Sequence, residues 1–104
     1  MNIQLNTDTN ISGNERLENY INTTIIKELD RFSDHITRIE VHLSDENGSK
    51  NGQHDKRCLL EARLENRPPI AVTSNENTME KAVSNSIKKL KRSMDTIYGR
   101  LMNR

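Results

Sequence analysis

"TRIEVHLSDENGSKNGQHDKRCLLEARLE", residues 37–65, holds two alternating runs separated by a polar stretch. In the first run Ile39, Val41 and Leu43 interleave with Arg38, Glu40 and His42. In the second, Cys58, Leu60, Ala62 and Leu64 interleave with Arg57, Glu61, Arg63 and Glu65. A period of two sends successive side chains to opposite faces, so each run predicts a strand with one apolar face and one charged face. Between them Asn47-Gly48 and Asn51-Gly52 are turn signals. Residues 45–56 are too many for a two-residue hairpin, so a long loop is expected there.

The flanking segments extend this pattern. Upstream, "NIQLNTD" alternates Ile3 and Leu5 with Asn2, Gln4 and Asn6, which predicts a short half-buried strand. Ser12 and Glu15 are spaced as a capping box, so a helix should start near Gly13. Its apolar positions Leu17, Ile21, Ile25, Leu29 and Phe32 recur at helical spacing, and it should stop near "FSDH". Downstream, "NRPP" turns the chain and "IAVTS" makes a fourth strand; Pro68 and Pro69 precede the strand, where a missing N–H does least harm. A long helix follows from about Asn77 or Thr78. Met79, Val83, Ile87, Leu90, Met94, Ile97 and Leu101 form one continuous stripe along it, and Gly99 is read as a point that ends or loosens it. The pattern predicts one α+β domain spanning 1–104, of order β-α-β-β-β-α, with a four-stranded sheet and two helices packed on one face.

Composition restricts what such a domain does. Apolar residues make up 32% of the 104, and Phe32, Tyr20 and Tyr98 are the only aromatics. The core is therefore thin and the surface wet. The net charge of +1 hides a split. Residues 1–76 carry nine Lys/Arg against thirteen Asp/Glu, whereas residues 77–104 carry seven against two, so the last helix is a basic pole. One cysteine excludes an intramolecular disulfide and fits a reducing compartment. No apolar run approaches membrane length and the N-terminus has no signal pattern, so a cytoplasmic protein without a membrane partner is expected.

On a 100° wheel Lys81, Asn85, Lys88 and Arg92 project opposite the last helix's apolar stripe, with Lys89 and Arg100 on its flank. Lys91 lies nearer the core boundary, its stem along apolar surface. On the first helix Arg16, Tyr20, Lys27 and Arg31 share one narrow sector away from the stripe, although Glu18, Glu28 and Asp30 keep that helix from being purely cationic. Side by side, the two helices would place cations on both walls of one groove, a surface suited to phosphates; Tyr20 reads first as an ordinary surface or boundary tyrosine, with stacking on a base or sugar as the alternative. An acidic protein partner is the alternative. Catalysis has weaker candidates. His54, Asp55 and Cys58 are near in sequence, but Cys58 falls on the inward phase of its strand, where a thiol is structural rather than nucleophilic. One Cys and scattered His35, His42 and His54 do not make a metal set, though a metal on His54 in the loop stays open. No phosphate-cradling glycine loop, paired carboxylates or serine-hydrolase elbow occurs, so no cofactor and no small-molecule substrate are expected.

Three stretches carry a resemblance: "NIQLNTDTNISGNERLENYI", "RIEVHLS" and "AVSNSIKKLKRSM". Together they resemble the ribosome hibernation-promoting factor family, also called ribosome-associated inhibitors or ribosomal subunit interface proteins. Lys89-Leu90 followed by Arg92 is similar to the family's Lys-Leu-x-Arg pattern. Lys27 stands where the family has a basic residue on the first helix, and Thr24 where it usually has a second lysine. The long loop looks like a branch with an extended second hairpin, and the length like the short, single-domain form. The resemblance implies a non-catalytic, cofactor-free protein that binds the small ribosomal subunit and its ribosomal RNA in the channel used by messenger and transfer RNA, blocking translation in starved or stationary cells. The resemblance singles out Lys27, Lys89 and Arg92; taken with the helix wheels, the expected RNA contacts are Lys27, Arg31, Lys88, Lys89 and Arg92, with Arg16, Lys81 and Arg100 behind them.

Overall fold

The computed structural model describes residues 1–8, 15–46 and 55–102, with side chains described through Gly99. The capping-box Ser12, the helix start at Gly13, both Asn-Gly turns, His54, and the side chains of Arg100 and Leu101 lie outside these described residues. The elements are β1 (Asn2–Thr7), α1 (Glu15–Leu29), a short 3-10 helix (Asp30–His35), β2 (Ile36–Asp45), β3 (Lys56–Leu64), β4 (Ile70–Glu76) and α2 (Met79–Met102). The order is the β-α-β-β-β-α of the sequence pattern, and the domain is α+β.

The sheet is mixed, in the order β1-β2-β3-β4. β1 runs parallel to β2, with Ile3 opposite Ile39 and Leu5 opposite Val41. The β2–β3 and β3–β4 pairs are antiparallel, with Val41 opposite Leu60 and Leu60 opposite Val72. A parallel neighbour requires a crossover, and α1 supplies it. The register places the inward apolar residues of all four strands in one band, and Ile39, Val41, Leu43, Cys58, Leu60 and Ala62 are buried there. The helices cover this band: Ile21, Ile25 and Leu29 enter the core from α1, and Val83, Ile87, Leu90 and Met94 from α2, which lies over β3 and β4.

Ile36 and Ile39 are both buried although they are three residues apart, which strict alternation forbids. The strand solves this with an irregularity. Ile36 pairs with Leu64 but Arg38 with Arg63, so β2 spends two residues where β3 spends one. Such a bulge resets the facing of every side chain beyond it. At the β3–β4 turn Asn66 adopts φ 60°, a left-handed conformation that asparagine tolerates better than most side chains.

The sequence reading of α2 needs two changes. Gly99 does not end the helix, which continues to Met102. The buried stripe is also wider than the apolar residues that announce it. Ala82, Ser86 and Tyr98 are buried with it, while Ile97 is only half-buried. Tyr98 stacks on His35, with ring centroids 4.1 Å apart, and sits 6.4 Å from Phe32.

The opposite face of the sheet carries an ionic ladder. Arg38 Nη2 donates to Glu40 at 2.7 Å, and Arg63 Nε to Glu61 at 2.9 Å. Burial alone would raise the Glu40 pKa. The Arg38 bond, the charges of Arg38 and Arg63 and the His42 contact outweigh it and hold the carboxyl below its ordinary value. At the far end of the sheet Lys56 Nζ bridges Asp45 (3.0 Å) and Asp55 (3.1 Å), tying together the strand ends that flank the loop.

Candidate nucleic-acid interface

The outward sides of α1 and α2 meet in a long seam, and side-chain contacts give its direction. Arg16, Leu17 and Tyr20 of α1 share a hollow of about 160 Å³ with Glu80 of α2. Further along, Glu28 lies against Lys91, and Arg31 against Asp95. Ascending numbers on one helix match ascending numbers on the other, so the helices run parallel.

The central seam widens into an open groove of about 390 Å³. Thr24 and Glu28 line its α1 wall. Ser84, Lys88, Lys91, Arg92 and Asp95 line the α2 wall, with Ile87 also contributing. Lys88 and Arg92 are four residues apart on one helix, so they are neighbours on the same wall. Both are exposed.

The candidate cations divide into three groups. Arg16, Lys27, Lys81, Lys88 and Arg92 are exposed and make no ion pair among the described residues. Lys81 sits in the first turn of α2, where the Thr78 hydroxyl accepts a hydrogen bond from its backbone N–H at 3.2 Å, an N-cap. Lys27 is exposed on α1 but is not among the groove-lining residues.

The second group is committed within the protein. Arg31 pairs with Asp95 at 3.2 Å, and its guanidinium lies 4.8 Å from the Phe32 ring centroid. Lys89 turns to the other flank of α2 and donates to the Thr73 carbonyl of β4 at 2.6 Å. A lysine on an edge strand's carbonyl blunts an edge that would otherwise invite pairing. The third group is Arg100 alone, whose side chain is outside the described residues.

Lys91, which the wheel set aside at the core boundary, is half-buried in the groove and donates to Glu28 at 3.1 Å. A single-helix wheel placed its angle correctly. It carried no information about the second helix, which turns that boundary into a groove wall.

Among the described residues, those weighed for catalysis do not assemble; His54 lies outside them. Cys58 is fully buried. Burial pushes its thiol up to about 11, and a contact with Ser86 offsets this only in part, so the thiolate is disfavoured. His35 stacks on Tyr98, and His42 contacts Glu40 on the charged face of the sheet. No group of three His, Cys, Asp or Glu is placed to hold a metal ion among the described residues. No helix among those residues is long and apolar enough to cross a membrane.

Comparison with known proteins agrees with this architecture. Residues 4–101 match the model of the family described as sigma 54 modulation protein / S30EA ribosomal protein. The chain belongs to this family. Proteins of the S30EA family are ribosome-associated and non-catalytic. No curated protein sequence matches. Two solved structures share the fold with a TM-score of 0.76 and 18% identity each. One is the N-terminal domain of Protein Y from Thermus thermophilus, matched over 93% of this chain and 99% of that one. The other is a ribosomal subunit interface protein from Coxiella burnetii, matched over 95% and 99%.

Proposed function

We propose that this S30EA protein binds the small ribosomal subunit through the basic faces of α1 and α2 and inhibits translation under stress or in stationary phase. The observation that carries the proposal is Lys88 and Arg92, two exposed cations that make no ion pair among the described residues and sit side by side on one wall of the interhelical groove. Arg16, Lys27 and Lys81 extend the cationic surface along the same two helices. Long cationic side chains of this kind engage phosphates, and Tyr20, exposed beside Arg16, offers a ring for stacking. The action is steric: a rigid domain held on ribosomal RNA in the channel used by messenger and transfer RNA excludes both. It involves no reaction, cofactor or small-molecule substrate, and it takes place in the cytoplasm.

Co-sedimentation with purified small subunits across a salt series tests this. About five phosphate contacts give a log–log slope of roughly −3 to −4. A protein that never pellets with subunits at low salt overturns the proposal. An acidic protein partner is a second reading that the same cations support. Nuclease treatment of a pull-down separates the two, because only the RNA-dependent complex is lost.

A further inference from the structure

The groove contains its own anions. Glu28 of α1 accepts from Lys91 of α2 at 3.1 Å, and Asp95 of α2 pairs with Arg31, just beyond α1, at 3.2 Å. The two pairs cross the seam in opposite senses, and both carboxylates line the groove next to Lys88 and Arg92. We propose that Glu28 and Asp95 are internal competitors for phosphate that set how many cations the two helices offer to RNA. The inference rests on the RNA-binding reading of this surface and deepens it.

Two physical points carry it. First, all four side chains are between 35% and 44% exposed, so water and salt screen both pairs and neither is locked. A phosphate can replace either carboxylate without a buried charge being stranded. Second, a phosphate seated on Lys88 and Arg92 meets both carboxylates at the groove wall, where like charge opposes it. The acids therefore act twice, withholding Lys91 and Arg31 and repelling the ligand. RNA that fills the groove beyond Lys88 and Arg92 must exchange ion pairs to reach Lys91 or Arg31, which lowers affinity and flattens its salt dependence.

Binding of polyuridylate and of small ribosomal subunits is measured against salt for the wild type, Glu28→Gln, Asp95→Asn and the double variant. Glu61→Gln is the control. It removes the same charge and releases Arg63 from a 2.9 Å pair, but on the opposite face of the sheet. Each groove variant should steepen the log–log slope by about 0.7, the value for one more single-strand phosphate contact, and tighten low-salt binding several-fold. The double variant should show both increments, and Glu61→Gln should leave the slope at the wild-type value.

A double variant with the wild-type polyuridylate slope, or with no binding at the lowest salt, overturns the inference. So does a Glu61→Gln slope shifted as far as the groove variants, because net charge alone would then explain the effect. If the polyuridylate slopes separate as expected while no version binds subunits, the inference stands and the ribosomal reading falls.

Discussion

Cys58 of β3 and Ser86 of α2 meet at the centre of the core, with Sγ and Oγ 3.1 Å apart. The Ser86 hydroxyl also reaches the Val83 carbonyl at 2.9 Å, so its one proton serves either acceptor. Both residues are fully buried, and their small size lets α2 approach the sheet closely.

The thiol should consequently be inert in the native state. An aromatic disulfide reagent should label Cys58 slowly at neutral pH and at once in denaturant. The pH dependence has a definite sign. Burial lifts the folded thiol from an ordinary value near 9.0 to about 11. The unfolded chain ionises first, so this contribution is intact below pH 9 and is lost as pH rises from 9 towards 11. Two pKa units correspond to about 2–3 kcal/mol. Denaturant melts of the wild type should lose that much more stability across the window than melts of Cys58→Ala. Parallel curves would show that the thiol ionises as readily in the folded protein as in the unfolded chain.

The strand pattern made the sheet legible because alternation survives packing: Ile39, Val41 and Leu43 need only one buried face to be read correctly. Ile36 escaped that logic. Its position relative to Ile39 fits no two-residue period, and the bulge that reconciles them depends on the pairing partner Leu64. Tyr98 had a signal, the four-residue steps from Leu90 to Met94 to Tyr98, but a phenol reads as a boundary residue until His35 and Phe32 are seen around it. The groove was legible in part. Each helix showed its cations, whereas the crossed pairs of Glu28 and Asp95 depend on the axial offset between helices, which no single-helix pattern encodes.

Lys88, Lys89 and Arg92 sit within five positions yet should separate by experiment. Lys88 and Arg92 face the groove, and alanine at either should reduce the salt slope of subunit binding by about 0.7 and leave the melting temperature within error. Lys89 is spent on the Thr73 carbonyl. Alanine there should leave the slope nearly unchanged and cost under about 1 kcal/mol of stability, since the bond is exposed. Equal slopes for all three variants would mean that Lys89 abandons β4 when RNA binds.

Phe32 is the largest fully buried side chain, and it joins the 3-10 helix to the core beneath Arg31. Phe32→Ala removes a ring that nothing adjacent can replace and should cost about 3–5 kcal/mol, measured by denaturant unfolding. A small domain has roughly 5–15 kcal/mol in total, so this variant should be partly unfolded at 37 °C. A cost below about 1 kcal/mol would contradict the buried placement of the ring.

Gly99 sits inside α2, three residues before its last described position. A glycine in a helix interior leaves more freedom to the unfolded chain than alanine does, and so weakens the helix. Such a glycine is usually retained because something approaches its Cα too closely for a methyl group. Here, among the described residues and apart from the helix's own nearby backbone and the two chain neighbours, nothing lies within 4 Å of where a Cβ would stand. Gly99→Ala should therefore stabilise the protein by about 0.5–1 kcal/mol, seen as a rise of a few degrees in the melting temperature. It should leave subunit binding unchanged, because the groove-lining residues end at Asp95. A variant that melts lower than the wild type would show that α2 does not run through Gly99 in solution, and that the helix ends where the glycine first marked it in the sequence.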